Sequence, residues 1–464
     1  MGRSDVDKMD MCTGSILKKM LMFAIPLMFS SILQLLFNAA DIVVVGKFAG
    51  DNSMAAVGST SSLINLLTNL FIGMSIGANV LVARYFGAKQ KKDLKETVHT
   101  AITLSIISGL ILTVIGFFGA NKILTLMQTP GEVLTLATKY MQIYFLGMTA
   151  TMVYNFGSAI LRAVGDTKRP LYYLLFAGIV NVVLNLFFVI VFHMGVVGVA
   201  LATAISQTIS AILVIRCLIN ESGDIHLELK ELTVVPSKFV KILQIGLPAG
   251  FQGILFSLSN VVIQSSINSF GEIVVAGNSA AGNIEGFVYM SMNAIYQAAI
   301  SFIGQNVGAG KYERINKIVI TAEMVVITIG VVMGGMVVLC GHPLLSIYSS
   351  SPEVIEIGMR RLKIIVLTYA LCGMMDVMVG VLRGLGYSIM PMIVSLIGAC
   401  ALRLVWLATV FQIDKYHSIE TIYISYPISW TLTFAAHLIC FMIIRKRLEK
   451  KWRRDEESRV VGCV

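Results

Sequence analysis

The sequence predicts an all-α polytopic membrane protein with twelve transmembrane helices in two six-helix lobes related by pseudo-two-fold symmetry. Composition is the first observation behind this fold class, because 56% of the 464 residues are hydrophobic and only 13% are charged. A soluble domain carries roughly 25% charged residues, so too few polar side chains remain here to cover a water-soluble globule. The other two observations are twelve long apolar runs and an internal repeat.

Each apolar run is long enough to cross about 30 Å of hydrocarbon as a helix, which takes about 20 residues. Lipid offers no hydrogen-bonding partner to the backbone, so every run is predicted to be helical. The predicted spans, numbered one to twelve below, lie at 16–45, 54–82, 98–120, 138–161, 171–192, 195–219, 240–267, 275–303, 316–340, 358–382, 389–413 and 420–444.

The repeat is clearest in the stretches 161–170 and 382–391. Leu, Arg, Gly and Pro occupy the same internal positions in both stretches, and the displacement of 221 positions is close to half of the chain. Gly50 and Gly271 are related by the same displacement, as are Gly87 and Gly308. A repeat on this scale predicts a duplicated unit.

The acidic segment 220–238 interrupts the hydrophobic pattern and is predicted to be a cytoplasmic linker. It separates an N-terminal lobe, 1–219, from a C-terminal lobe, 239–444, and a basic cytoplasmic tail follows at 445–464. Six spans per lobe is an even number, so both lobes enter the membrane from the same side. Parallel repeats of this kind form a cavity at their interface.

Basic residues concentrate in loops that all fall on one side of the predicted membrane. Because cytoplasmic loops carry the excess of Lys and Arg, we expect a multi-pass protein of the inner or plasma membrane with both termini cytoplasmic. This clustering is a topology signal, so no nucleic-acid partner is expected. Arg162 and Arg383 are interpreted as loop anchors, whereas Arg361, on the outer side, is expected to reach the lipid headgroups with Arg360 and Lys363.

Ionisable residues inside apolar helices are costly and are therefore candidates for function. Asp41 shares one face of span one with Gln34 and Asn38, because the three residues are four and three positions apart. The polar residues of spans five and six that would surround this carboxylate are Asn181, Asn185 and Thr203. Such a group could hold a cation through oxygen ligands, could let Asp41 bind a proton, or could simply join helices by hydrogen bonds. If Na⁺ is bound, Asp41 and Asn181 are the predicted ligands.

The second half carries different charged residues. Asp376 in span ten corresponds to Asn155 in span four, whereas Asp41 has no acidic counterpart. Glu285 lies in span eight, and Arg403 in span eleven could form an ion pair with Asp376, which could be purely structural. Asp376 is added to the coupling candidates. The candidates for lining a substrate cavity are Gln34, Asn38, Asn155, Glu285 and Arg403.

Catalytic patterns are absent from the sequence: there is no HExxH motif, no phosphate-binding Walker loop and no glycine-rich dinucleotide turn. No acid pair, metal cluster or nucleophile stands near a predicted membrane face. The protein is therefore not expected to be an enzyme, and no cofactor is expected beyond H⁺ or Na⁺ as a coupling ion. We expect it to act as a monomer surrounded by membrane lipid.

Several short motifs, taken in order, extend over nearly the whole chain. They are Ile25-Pro26, Val57-Gly58, Arg84-Tyr85-Phe86-Gly87-Ala88-Lys89, Ile284-Glu285-Gly286, the stretch 304–310, both Leu-Arg-x-x-Gly stretches and 426–430. With these motifs the chain resembles the multidrug and toxic compound extrusion (MATE) family of secondary transporters. The resemblance implies two six-helix lobes around a central cavity. It also implies export of cationic or amphipathic small molecules by alternating access, against inward movement of H⁺ or Na⁺.

The resemblance also implies a cation site in the N-terminal lobe. The residues that match it are Asp41, Asn181, Asn185 and Thr203. Asn185 replaces the second acid of the family pattern, and a single carboxylate favours H⁺ over Na⁺. Asp376 matches the span-ten acid of a second arrangement, but Phe256 stands in place of its span-seven acid. Glu285 retains the acid of the span-eight motif.

A related flippase of lipid-linked intermediates is the alternative. Such transporters also use two lobes, but often have additional spans and a more cationic cavity. Here Asp41, Glu285 and Asp376 balance or exceed the charge of Arg403, which favours cationic cargo.

Overall fold

The computed structural model describes residues 9–127, 129 and 131–461. All secondary-structure elements within these residues are helices, as the sequence predicts for the fold class. The first eight residues of the predicted N-terminal lobe and the last three of the predicted tail, 462–464, lie outside the described residues.

The first half of the chain is a succession of long helices joined by short turns. Its helices are α1 Ile16–Ala49, α2 Asp51–Gly87, α3 Lys91–Leu126, α4 Gly131–Leu146, α5 Met148–Ala163, α6 Lys168–Leu186 and α7 Gly195–Ile219. A π-helical turn, Phe187–Val191, extends α6. A 3₁₀ turn, Leu229–Glu231, follows within the predicted linker.

The second half repeats this pattern with more interruptions. Its helices are α8 Pro236–Asn268, α9 Glu272–Gly308, α10 Glu313–Leu339, α11 Gly341–Ser346, α12 Pro352–Ile365, α13 Tyr369–Gly384, α14 Ile389–Ser395, α15 Leu402–Ala408 and α16 Ile419–Val461. A 3₁₀ turn, Val366–Thr368, joins α12 to α13, and a π-helical segment, Leu396–Ala401, joins α14 to α15. Two further 3₁₀ turns, Val410–Gln412 and Asp414–Tyr416, precede α16.

Ten helical stretches in the described part of the chain are long and apolar enough to cross a membrane. Predicted spans four and eight are not among these ten. Span four is divided between α4 and α5 at Gly147. Span eight lies within α9, which has 37 residues and carries polar side chains such as Asn278 and Glu285. The count of twelve spans therefore includes two that length and composition alone do not select.

Backbone conformation repeats at the displacement found in the sequence. Six of the nine described residues with positive φ form three matched pairs, each near the end of a helix, and glycine adopts this region without steric cost. The pairs, with their φ angles, are Gly50 (87°) and Gly271 (92°), Lys89 (55°) and Gly310 (69°), and Gly165 (91°) and Gly386 (96°). Both halves also carry a proline inside their first long helix, Pro26 in α1 and Pro248 in α8. The duplication thus extends to the backbone.

The two halves meet through reciprocal contacts between α2 and α9. A side chain at Gly87 would overlap the carbonyl oxygen of Gln305, and a side chain at Gly308 would overlap that of Arg84. Gly87 and Gly308 are related by the repeat displacement, and so are Arg84 and Gln305. Each half therefore makes the same close backbone contact on the other, as a pseudo-two-fold axis requires.

Helix α1 packs against both halves. Near its start, Phe23 contacts Phe302 of α9 with the ring centroids 6.0 Å apart and the planes at 87°. Towards its end, Val44 and Val45 belong to a hydrophobic cluster that includes Val199 of α7. The helix that carries Asp41 therefore connects the first half to the second.

The predicted linker lies against the start of α3. The Glu228 backbone N–H donates to His99 Nε2 at 3.1 Å, and the Val235 N–H donates to Thr100 Oγ1 at 3.1 Å. Lys95 forms ion pairs with Glu228 at 2.8 Å and Glu231 at 2.7 Å. The hydrogen bond from Lys95 lowers the pKa of the exposed Glu228 carboxyl. The linker is thus held against α3 by hydrogen bonds from its backbone and by ion pairs with Lys95.

Close packing of α2 on α8 generates the first prediction. A side chain at Gly73 would overlap the backbone of Gly250, whereas one at Gly335 of α10 meets nothing within 4 Å. Overpacking typically costs about 1–3 kcal/mol, and Gly to Ala in an open helical position typically gains about 1 kcal/mol. We expect Gly73→Ala to lower the unfolding temperature in detergent and Gly335→Ala to leave it unchanged or raise it. Equal unfolding temperatures would show that the two helices are not in close contact.

Candidate functional site

A cavity of about 200 Å³ lies in the first half, between α1, α2, α5, α6 and α7. It brings together most of the polar residues that the sequence singled out there. Those on its wall are Gln34, Asn38, Asp41, Asn155, Asn181 and Thr203. Asn65 and Thr68 also line the cavity and were not predicted. Its described lining residues include one carboxylate and no cation.

Asp41 is buried, with 8% of its surface exposed. The Asn185 side-chain amide donates a hydrogen bond to Asp41 Oδ1, and the Thr203 hydroxyl donates to Oδ2 at 3.4 Å. Both oxygens of the carboxylate therefore accept a bond from a neutral group on another helix. Burying a carboxylate without such partners would be costly.

Asn181 links these donors to each other. Its side-chain nitrogen donates to Thr203 Oγ1 at 3.3 Å, and its Oδ1 accepts from Asn185 Nδ2 at 3.2 Å. Asn185 is fully buried, and its own Oδ1 has no hydrogen-bond partner among the described residues. Four of the five residues predicted for cation coupling, all except Asp376, thus form one network across α1, α6 and α7.

Local packing explains why these residues meet. A side chain at Gly178 of α6 would overlap the ring of Phe37, so α1 and α6 approach closely at this level. One turn further along α1, Asp41 then faces α6, where residues four apart share one helical face. The π-helical turn Phe187–Val191 begins just after Asn185, and such turns frequently occur at functional sites.

The oxygens in this network suit a small cation or a proton. Those nearest the carboxylate include Asn181 Oδ1, Thr203 Oγ1 and the unpartnered Asn185 Oδ1. Carboxylate, amide and hydroxyl oxygens are the ligands that hard cations prefer. The same oxygens could accept a hydrogen bond from a protonated Asp41. Among the described residues, no group of three or more His, Cys, Asp or Glu side chains is placed to hold a metal ion.

Asp376 lies in a different cavity, of about 250 Å³, between α2, α8, α9 and α13. Arg383 and Tyr289 line it as well, and Phe256 occupies the wall where the family pattern has an acid. Asp376 therefore does not join the Asp41 network. The two coupling candidates belong to separate sites.

The prediction that Arg383 is a loop anchor is wrong. Its side chain is 4% exposed, at the end of α13, and faces into the bundle. Arg383 donates to the Tyr296 hydroxyl at 2.5 Å and to Gln252 Oε1 at 2.8 Å. All eight residues of the stretch Val377–Gly384 are buried, and Arg383 lines the second cavity.

Asp376 and Arg403 are both described, and they do not form the predicted ion pair. Arg403 instead donates to Ser429 Oγ at 2.7 Å. Its guanidinium carbon lies 4.1 Å from the ring centroid of Tyr426 and 5.5 Å from that of Trp430. Aromatic rings of α16 thus shield the charge, and Arg403 lines neither of the two cavities described above.

Glu285 is neutralised by Arg361, which the sequence placed at the headgroups. The two form a bidentate ion pair with both N···O distances at 2.7 Å, and Tyr369 donates to the same carboxylate at 3.2 Å. Arg361 is 11% exposed and also donates to Asn278. The expectation that Arg361 reaches outward is therefore wrong, because an acid buried in α9 attracts it inward. The unbalanced charge of Glu285 in an apolar helix was the signal in the sequence that could have predicted a buried cationic partner.

A family model described as MatE matches the chain at residues 26–187 and again at 248–408. The two matches start 222 residues apart and end 221 residues apart, and together they cover more than half of the chain.

Relatives and solved structures are similar over nearly the full length. Probable multidrug resistance protein YoeA of Bacillus subtilis (strain 168) is 26% identical, with 96% of both chains covered. Probable multidrug resistance protein YpnP of the same strain is 28% identical, covering 85% of this chain and 88% of YpnP. A solved structure described as the outward-facing conformation of a multidrug resistance MATE family transporter of the MOP superfamily has a TM-score of 0.88. It is 20% identical, with 95% of this chain and 98% of that chain covered, so it shows the fold.

The duplicated family match, the helical membrane fold and the expected order of motifs agree with one another. The chain is therefore a multi-pass membrane protein that belongs to the MATE family, a family of transporters rather than enzymes.

Proposed function

We propose that this protein is a secondary active exporter of cationic or amphipathic small molecules, driven by the inward movement of a coupling cation. The observation that carries the proposal is the Asp41 network, a buried carboxylate that lines a cavity and is bonded only to neutral groups. A carboxylate of this kind can gain and lose a positive charge within the membrane, which is what coupling requires. The names of YoeA and YpnP support the multidrug class of cargo.

H⁺ is the coupling ion that we propose, with Na⁺ as the alternative. Asn185 and Thr203 both direct hydrogen-bond donors at Asp41, and a bound Na⁺ would have to displace those donors from the carboxylate oxygens. Asn185 also supplies no second negative charge. One positive charge moving inward gains about 2.3 kcal/mol per 100 mV of membrane potential, whichever ion carries it.

The contacts at one end of the molecule support an alternating-access mechanism. Gln305 of α9 donates to the Ala163 carbonyl at 2.7 Å and accepts from the Met11 N–H at 3.1 Å. The Met9 N–H reaches the Val164 carbonyl at 3.3 Å. The two bonds of Gln305 join the halves, and the Met9 bond holds the N-terminal segment against the first half, so we propose that the molecule stays closed at this end until the Gln305 bonds break. We propose that they separate in the opposite state of the transport cycle.

This bonded end is proposed to be cytoplasmic. Lys311 donates to the Cys12 carbonyl at 3.0 Å, and Arg314 donates to that of Gly14 at 3.0 Å. The N-terminal segment therefore lies beside a basic loop, where the positive-inside rule places the cytoplasm. The predicted lobes and linker remain our proposal for the domain boundaries, and the gap between the two family matches, 187 to 248, supports a division there.

The charge balance of the cavities narrows the class of cargo. Glu285 is paired with Arg361, and Asp376 shares its cavity with Arg383, so neither adds a free negative charge. Preference for cations therefore depends on Asp41. Drug-sized ligands usually occupy about 300–1,000 Å³, so the 200 Å³ cavity must widen to accept one.

A flippase of lipid-linked intermediates is the second candidate. Such a protein needs cationic side chains for anionic headgroups, and Arg383 beside Asp376 is the observation in its favour. The described wall of the Asp41 cavity carries no cation, which favours the exporter. In either case we propose that the protein acts as a monomer.

Asp41→Asn removes the one carboxylate among the described lining residues of the first cavity. It should reduce cation-coupled export at least about tenfold, because no proton or Na⁺ can then be exchanged there. Transport of a fluorescent organic cation into inside-out vesicles, with H⁺ and Na⁺ gradients imposed separately, measures this. Asp414→Asn, at an exposed carboxylate in a turn, is the matched control and should export normally. Export by Asp41→Asn at the wild-type rate would refute the assignment.

Asn185→Asp tests the choice of ion. A second carboxylate beside Asp41 raises the negative charge of the site, and affinity for hard cations increases with ligand charge. In the same vesicles we expect a Na⁺ gradient to drive export at least about threefold faster than in the wild type. Unchanged responses to both gradients would mean that this network does not bind the coupling ion.

The Glu285–Arg361 pair is predicted to stabilise the fold rather than to bind cargo. Glu285→Gln leaves a buried guanidinium without its counter-charge, which typically costs about 3–5 kcal/mol. Its unfolding temperature in detergent should fall clearly, and adding Arg361→Gln should restore part of the loss. Glu356→Gln, which breaks the exposed pair with Arg360, should change stability by less than about 1 kcal/mol. A stable Glu285→Gln protein with altered substrate affinity would instead place Glu285 in the substrate site.

A further inference from the structure

An apolar groove runs along the outside of the bundle between α10 and α16. Its volume of about 550 Å³ exceeds that of either cavity described above. Ile320 of α10 and Leu438 and Met442 of α16 form part of its wall, and these three side chains are substantially exposed. The groove is separate from the cavities of Asp41 and Asp376, and it shares no lining residue with either.

The length of the groove matches one leaflet of a bilayer. On α16 it extends from Leu438 to Lys446, which at 1.5 Å per residue is about 12 Å along the helix. Half of a hydrocarbon core is about 15 Å. An acyl chain lying in the groove would therefore contact the protein over most of the depth of the leaflet.

The groove is polar only at the end where the basic tail begins. Arg445 is fixed there, because it donates to Asn316 Oδ1 at 3.2 Å and to the Tyr312 carbonyl at 3.0 Å, and it forms an ion pair with Glu449 at 3.2 Å. Lys446 beside it is exposed and also lines the groove. Because Arg445 is already paired with Glu449, the exposed ammonium of Lys446 supplies the charge that a phosphate group would meet at this end of the groove.

We propose that this groove binds one anionic phospholipid of the cytoplasmic leaflet. The phosphate lies at Arg445 and Lys446, and an acyl chain follows the apolar wall past Ile320 and Met442 to Leu438. The cytoplasmic assignment rests on the orientation proposed above, whereas the binding itself does not. Anionic lipids concentrate at the cytoplasmic surface, and basic pockets between transmembrane helices bind their headgroups. A zwitterionic lipid would match the apolar wall, but it would bring its own cationic group next to the exposed ammonium of Lys446.

The test measures lipid binding rather than transport, so it can fail independently of the proposed export function. The full-length protein, purified in detergent, is titrated with phosphatidylglycerol, with phosphatidylcholine of the same chain length, and with glycerol phosphate. Thermal unfolding and native mass spectrometry report binding. We expect a saturable rise in unfolding temperature and a single bound lipid with phosphatidylglycerol only.

Two variants and a matched control test whether the lipid binds in this groove. Lys446→Gln should weaken phosphatidylglycerol binding about fivefold, as expected for one basic residue at an anionic headgroup. Arg447→Gln removes the same charge from the next position, which is exposed and does not line the groove, and should change binding less than about twofold. Ile320→Trp should block the acyl chain without touching the basic end, and its exposed position should leave the fold intact.

Four outcomes would overturn the proposal. Equal stabilisation by phosphatidylcholine would mean ordinary lipid at the protein surface. Stabilisation by glycerol phosphate alone would mean a site for soluble anions. Equal losses in Lys446→Gln and Arg447→Gln would mean general attraction to the basic tail, and undiminished binding by Ile320→Trp would place the lipid elsewhere.

Discussion

The cost of holding the Asp41 carboxylate inside the membrane is the constraint from which the first half of the molecule can be understood. Lipid supplies no hydrogen bonds, so the protein must bring donors from other helices. Asn185 of α6 and Thr203 of α7 do so, and Asn181 connects them. Three helices are thereby held around a small polar cavity, with Phe37 of α1 against α6 setting their closest approach.

Two other buried charges of the described chain are compensated by their neighbours, and the difference from Asp41 bears on the proposed function. Glu285 has a bidentate partner in Arg361, and Arg403 lies against aromatic rings. Neutralising either partner of a buried carboxylate–guanidinium pair would leave the other charge buried alone. Asp41 has only neutral hydrogen-bond partners among the described residues, so a change of its charge would leave no partner charge unpaired. Asp376, beside Arg383, is intermediate between these cases.

The duplicated frame explains how such a site can take part in transport. The halves meet in reciprocal contacts of α2 and α9, and bonds from the N-terminal segment and Gln305 close one end. Helix α1 carries Asp41 on the first half while its beginning packs on the second. In the proposed mechanism, a change of charge at Asp41 therefore acts on a helix that both halves share. The groove proposed to bind a lipid lies outside this frame, on α10 and α16.

Local pattern determined much of this protein: the helical membrane fold, the repeat, and the shared faces that place Asn38 with Asp41 and Asn181 with Asn185. These follow from hydropathy and helical periodicity, which depend only on neighbours in sequence. Tertiary structure alone decided that Arg361 turns inward to Glu285, that Arg383 is buried, and that the two acids, Asp41 and Asp376, occupy separate cavities. Periodicity assigns a residue to a face, but which faces meet depends on how helices distant in sequence pack.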